Sequence, residues 1–318
     1  MQGETKNNTP AAQKPRYAKI SAKMIVQFQP SVDPNDIPYE QIAWWKDIFS
    51  YIQPSDYEKI YLRRLCNMFK ASLKPLPKSR FTEFPHPNHT SIDSLMTRIN
   101  ELYTEDARLW LLLKRRGYPP LRKAPTVLYI KKGIYELEKS YLTITYPIQI
   151  IGAGRDSTTI HGGFEITGKK EKGKNVVLKD MTVINNTGTG LFCRPLGKNG
   201  CCFFCNRVTF TQCYRHGVCA QNTNGRFKNC IITQCKENGI YSSGETLIEL
   251  EGSLTKVDGN CMSGYSGYFG LHCHARSNGL PRIHLLFPLT KESVSTNNFN
   301  ERNYGELLDN IQTVETLP

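Results

Sequence analysis

The sequence predicts a mainly β protein, a parallel β-helix preceded by a small all-α region. The first observation is a repeat. FFCNRVTFTQCYRHGV and RFKNCIITQCKENGIY place Phe210 and Ile232, Gln212 and Gln234, Cys213 and Cys235, Gly217 and Gly239, and Val218 and Ile240 each 22 positions apart. An earlier copy, VLKDMTVINNTGTGL, sets Met181, Val183, Asn185, Gly190 and Leu191 27 positions before Val208, Phe210, Gln212, Gly217 and Val218; the five extra residues fit in the loop RPLGKNG. The second observation is the alternation of apolar and polar residues inside each unit, which is a strand signal. A unit this short cannot bury its own face and must stack on its neighbours. Three strands with their turns need about 20–25 residues. An α-solenoid does not fit, because Val, Ile, Phe, Thr, Asn and Gly dominate and no unit carries a ten-residue helical period. The third observation is a switch to helical spacing between 37 and 73.

Along the chain, residues 1–34 form a basic lead without an apolar core, expected to be disordered rather than a secretory signal. Residues 35–76 read as a helical hairpin. Ile42, Trp45, Phe49 and Ile52 share one helix face. Pro54 breaks the chain and opens the next helix, with Asp56 supplying negative charge near its start. Leu62, Leu65, Cys66, Phe69 and Leu73 continue a second apolar face.

This hairpin resembles an F-box: an Ile37-Pro38 start, an apolar helix ending IFSYI, the turn QPSD, and a second apolar helix. It departs from the usual pattern in carrying Trp44 and Trp45 where leucines are common. The resemblance covers about 40 residues and implies docking of a Skp-type adaptor protein through Ile37, Pro38, Trp45, Ile48, Phe49, Ile52, Pro54 and Tyr57.

Residues 77–125 are a connector. SIDSLMTRINEL puts Ile92, Leu95, Met96, Ile99 and Leu102 on one face, with Thr90 as expected N-cap and Asp93 three residues on. Such a helix can plug the open end of a solenoid and hide its strand edges. ARLWLLLKRRG reads as a separate short basic helix before Pro119-Pro120.

Residues 126–318 form the solenoid with a C-terminal cap. TLIELEGSLTKVDGNC and GYFGLHC read as a longer coil of weaker register, and IHLLFPLT with its polar tail as the closing end. This region resembles the right-handed parallel β-helix (pectin-lyase-like) superfamily. F-box and β-helix together resemble substrate-recognition subunits of SCF-type ubiquitin ligases, which implies a non-enzymatic interaction module that binds an adaptor and a protein target. The alternative is a polysaccharide-binding or polysaccharide-cleaving β-helix.

Composition bounds these readings. Mean hydropathy is −0.44 and the longest apolar run is LWLLL, so no membrane span is expected. Net charge is +13, spread as +8 over residues 1–125 (20 Lys+Arg against 12 Asp+Glu) and +5 over the rest. No nucleic-acid module accompanies it, so solvated loops explain the excess. Ten of the 11 cysteines lie between 193 and 273; without a signal segment they are expected to be reduced thiols in an intracellular protein, monomeric outside its complex. Cys213 over Cys235 suggests stacked buried thiols at a corner. Cys202 and Cys205 form a CxxC without a matching second pair, so no metal and no cofactor are expected.

Polysaccharide cleavage needs two or three carboxylates together, which stacked coils can supply from equivalent positions. Asp180 maps to Arg207 and Asn229, Asn185 to Gln212 and Gln234, Thr189 to His216 and Asn238, and Gly188 to Arg215 and Glu237. No ladder holds two acids, so no catalytic residue is assigned. Glu249 and Glu251 share a face but read as a solvated pair. His216, Tyr265, Tyr268, Phe269, His272 and His274 form the candidate target or sugar face; the two histidines of LHCH are also candidate ligands. The amides of 185, 212 and 234 are expected to stack, and Gly190, Gly217 and Gly239 to permit a turn conformation.

Overall fold

The computed structural model describes residues 81–114, 124–168, 175–194, 202–275 and 279–315. The hairpin at 35–76, with Ile37, Pro38, Trp45, Ile48, Phe49, Ile52, Pro54 and Tyr57, lies outside them, as does the lead.

Short parallel strands wind as successive rungs with three faces. The first face runs through Phe81–Phe84, Val127–Ile130, Gln149–Gly152, 176–179, 203–206, Asn224–Lys228, Leu247–Glu251, Arg282–Leu286 and Ile311–Val314. The second holds 133–136, 158–161, 181–184, 208–211, Ile231–Thr233 and Lys256–Asp258. The third holds 141–144, 163–166, Leu191–Cys193, Val218–Gln221, Ile240–Ser243, Leu271–His274 and Tyr304–Glu306. The protein is thus a parallel β-helix. Phe210 pairs with Ile232, Val183 with Phe210 and Val218 with Ile240, as the repeat requires. The first rung is Phe81–Phe84, ahead of residue 126, where the sequence pattern alone starts the solenoid.

Strand alternation sends one set of side chains inward. Leu128, Ile150, Leu178, Cys205, Phe227, Leu250 and Leu285 form a fully buried column under the first face. Val183, Phe210, Ile232 and Val257 do so under the second. Each such side chain contributes about 1.5–3 kcal/mol by leaving water. Phe227 meets Phe203 edge-on at 5.4 Å and Phe210 at 6.4 Å.

The corners depend on left-handed backbone. Asp180, Arg207 and Asn229 (φ 57, 53 and 53) turn the chain from the first face to the second, and Gln212 and Gln234 (φ 52 and 56) from the second to the third. Gly190, Gly217 and Gly239 are not in that conformation; the structure corrects that expectation. They are small because the next rung is close: a Cβ on Gly217 would stand 2.3 Å from Ile232 Cγ2 and 2.9 Å from Gly239 O. The expected amide stack is also displaced. Gln212 and Gln234 are exposed at their corners, while one position on, Cys213 and Cys235 are buried over one another. The stacked amides are Asn260 and Asn298. Asn260 accepts from Cys235 N at 3.1 Å and donates to Ile232 O and Asp258 O, and Asn298 Oδ1 accepts from Asn260 N at 3.0 Å.

One helix, α1 (Ile92–Lys114), spans both helical stretches that the sequence suggests as separate. Ser91, rather than Thr90, caps it by accepting from Ser94 N at 3.1 Å. Asp93 instead accepts from Glu138 N at 2.9 Å, fastening the helix to the first coils. Ile92, Leu95, Met96 and Ile99 are buried in the common core, and Tyr103 stacks on Tyr146 at 4.1 Å. At the other end α2 (Lys291–Val294) carries a Thr290 capping box and buries Val294. No helix among the described residues is long and apolar enough to cross a membrane.

Candidate functional site

The site grows from the third face. In Leu271–His274, Leu271 and Cys273 point into the core, so period-2 alternation turns His272 and His274 outward. Register places Tyr241 beside His272, and Cys219 beside Tyr241. Ile240 pairs with Val218, 22 positions earlier, but with Leu271, 31 positions later. Six of the nine additional residues fall between Val257 and Leu271, where the SGYSGYFG excursion brings Tyr268 and Phe269 over this flank.

Tyr241 is the centre of the cluster. Its ring stacks on His216 at 5.1 Å and 12°, meets His272 edge-on at 5.3 Å, and lies 5.5 Å from His274. Tyr268 sits edge-on to His216 at 6.4 Å, and Phe269 to His272 at 5.1 Å. Tyr265, largely exposed, is 5.1 Å from Tyr268. The six candidate positions named from the sequence therefore form one continuous surface.

Asn238, fully buried, sets the protonation pattern. Its backbone N–H donates to His216 Nδ1 at 3.3 Å, and its amide nitrogen faces the same atom at 3.2 Å. His216 thus carries its proton on Nε2, which points at Glu237 Oε2, 3.3 Å away. Asn238 Oδ1 accepts from Phe269 N at 2.7 Å and from His272 Nδ1 at 3.1 Å. His272 is therefore protonated on Nδ1, and its Nε2 presents a lone pair. Burial, with Arg215 and His272 nearby, pushes the His216 pKa down to about 3. Burial also lowers His272, outweighing the opposing pull of Glu306. Both imidazoles are neutral at ordinary pH.

The acids of this surface are all engaged. Glu237 faces His216 and, at 3.8 Å, Arg215, the cross-coil pair that the ladders predict. Burial and the neighbouring Glu237 raise the Tyr268 hydroxyl pKa. Glu306 accepts from His274 Nδ1 at 2.7 Å and Ala275 N at 2.9 Å; these contacts hold it below the usual carboxylate range despite burial. On the first face, an open groove of about 610 Å³ is lined by Phe203, Phe204, Arg226, Lys228, Glu249 and Glu251, among others. Glu251 there is neutralised by Arg226 at 2.9 Å and Lys228 at 2.8 Å, so Glu249 and Glu251 are no acid/base pair.

Sequence reasoning missed Tyr241 and Glu306 and read Asn238 only as a rung. Tyr241 shares a ladder with His272, but the 31-residue coil hides that register. Glu306 lies 32 positions beyond His274 with no repeat to connect them.

Fold and flank define the class: a parallel β-helix with an aromatic, imidazole-lined surface where one coil lengthens. No protein-family model matches the chain, and no curated protein matches it. Among solved structures it is similar to the A-module of a mannuronan C-5 epimerase from Azotobacter vinelandii, at 12% identity and a TM-score of 0.39, covering 64% of this chain and 61% of that one. The chain thus spans less than two thirds of that module.

Proposed function

We propose that the protein binds an acidic polysaccharide along the corner between the second and third faces. The observation that carries this reading is the pairing of exposed aromatic rings with cations on successive rungs. Tyr214 and Tyr265 are exposed, and Lys236 Nζ lies 4.4 Å over the Tyr214 ring. Arg215 is exposed beside Tyr268 and Glu237. Flat rings pack on the apolar faces of sugar rings, and neighbouring cations pair with uronate carboxylates. The excess positive charge draws a polyanion to the surface. Binding rather than cleavage is favoured, since Glu237, Glu251 and Glu306 each have partners and His216 is locked neutral at both nitrogens. Calorimetric titration with polygalacturonate is expected to give saturable binding that dextran does not reproduce. Tyr265→Ala with Tyr268→Ala is expected to weaken it at least tenfold. Silence across a panel of polyuronates, or binding untouched by both substitutions, overturns the reading; release of unsaturated uronides overturns its non-catalytic part.

A second reading is supported by the sequence pattern at 35–76, which resembles an F-box: the chain serves as a substrate-recognition subunit of an SCF-type ubiquitin ligase inside the cell, with the β-helix holding a protein target. Copurification with a Skp-type adaptor, lost on Trp45→Ala, is the expected result. A pull-down from the native cell without any such adaptor removes it.

A further inference from the structure

We propose that His272, His274 and Glu306 bind one divalent transition-metal ion of the zinc type, on the same flank as the polysaccharide corner but without resting on that reading. Three observations converge. First, the ligand-capable atoms of these three residues all lie within 4.8 Å of one another. His272 Nε2 is 3.4 Å from Glu306 Oε1. Zinc holds nitrogen and oxygen ligands at about 2.0–2.2 Å, so tetrahedral ligands stand about 3.3 Å apart. That edge of the polyhedron is already in place. The second edge, His274 Nδ1 to Glu306 Oε1, is a 2.7 Å hydrogen bond and needs to open by roughly 0.6 Å to reach the same spacing.

Second, His272 is 95% buried (5% exposed), yet its Nε2 makes no hydrogen bond. Asn238 Oδ1 takes the Nδ1 proton, so Nε2 carries a lone pair facing a carboxylate oxygen, acceptor against acceptor. Buried polar atoms are almost always satisfied. A cation between the two atoms satisfies both.

Third, the surroundings already orient the ligands as outer partners of a metal centre do. Asn238 fixes the His272 tautomer, and Ala275 N–H holds the second Glu306 oxygen at 2.9 Å. The strand supplies two histidines at i and i+2 on one face, and the next rung supplies the carboxylate. His274 and Glu306 are partly exposed, so water can complete the fourth position, and metal reaches the site from solvent. On binding, His274 releases its Nδ1 proton to solvent and takes one at Nε2, remaining a neutral imidazole.

The test uses the full chain. After incubation with ZnCl2 and dialysis, metal is counted by mass spectrometry, and Co²⁺ is substituted to read the ligand set. Expected are one equivalent held at this site, visible d–d bands of a four-coordinate ion, and no thiolate-to-cobalt charge-transfer band. His274→Ala and Glu306→Gln, both at partly exposed positions, are each expected to weaken affinity tenfold or more and to remove that equivalent. The cobalt spectrum of the unmodified chain decides the ligand set even where a variant fails to fold. No retained metal, a spectrum dominated by thiolate ligation, or stoichiometry unchanged in the variants overturns the proposal.

Discussion

Two adjacent coils of this protein follow different rules. From Val218 to Ile240 the chain takes 22 residues and returns to the same place one rung up. From Ile240 to Leu271 it takes 31, and the surplus carries Tyr265, Tyr268 and Phe269 out over the flank. Inside, both coils are alike: Ile240, Leu271, Ile232 and Val257 are all fully buried. The difference lies wholly outside. Repetition maintains the packed column, and departure from repetition places the chemistry. His216, contributed by the regular coil, becomes part of a site only because the longer coil closes over it.

The sharpest way to break this contrast is to attack the column. Phe227 is fully buried, edge-on to Phe203 and Phe210. Phe227→Ala is expected to cost about 3–5 kcal/mol, from lost transfer energy and the cavity left between rungs. Urea unfolding followed by circular dichroism measures it. Tyr265→Ala, on the excursion and exposed, is expected to shift the midpoint by no more than about 0.5 kcal/mol. Equal losses at the two positions would mean that the excursion is part of the column.

This division also explains what was legible in the sequence. Phe210 and Ile232, or Cys213 and Cys235, could be placed on neighbouring rungs because side chains in a common column obey one spacing. The corners are less legible: Asp180, Arg207, Asn229, Gln212 and Gln234 adopt left-handed backbone where glycine is the ordinary expectation, and the glycines serve close approach instead. Of the expected amide stack, Asn185 is buried but Gln212 and Gln234 are exposed, because a one-residue offset at a corner leaves no mark on the pattern. His216, His272 and His274 were named individually, yet their meeting at Tyr241 depends on a coil whose length no repeat predicts. Glu306 carried no signal at all. Contacts across a lengthened coil are set by tertiary closure, and one sequence does not encode that as periodicity.

A second prediction sharpens the contrast through pH. His216 titrates at about 3 when folded, chiefly through burial, against an ordinary value of 6.5 when unfolded. Between these values the unfolded chain binds a proton that the folded chain does not. Stability from this residue is therefore complete above pH 6.5 and is lost as pH falls below it, at up to about 1.4 kcal/mol per pH unit. Over one unit, from pH 6 to 5, the loss is expected to be about 1 kcal/mol, read from urea midpoints. His216→Gln is expected to flatten the dependence by that amount. An unchanged slope in the variant would show that the flank does not enclose His216 in solution.

The smallest effect is expected at a corner of the regular coil. Arg207 donates to Asp180 from Nε at 2.5 Å and from its second amino group at 2.8 Å, a two-point contact across rungs. The geometry is good, but the Arg207 side chain is half exposed. Water and salt screen the attraction, and ordering a long side chain offsets part of the gain. Arg207→Ala is expected to cost only about 0.5 kcal/mol, and less in high salt. What turns the chain here is the left-handed backbone at both residues, and that conformation does not need the ion pair. A loss several times larger would assign the corner to the charge pair rather than to the packed columns on either side of it.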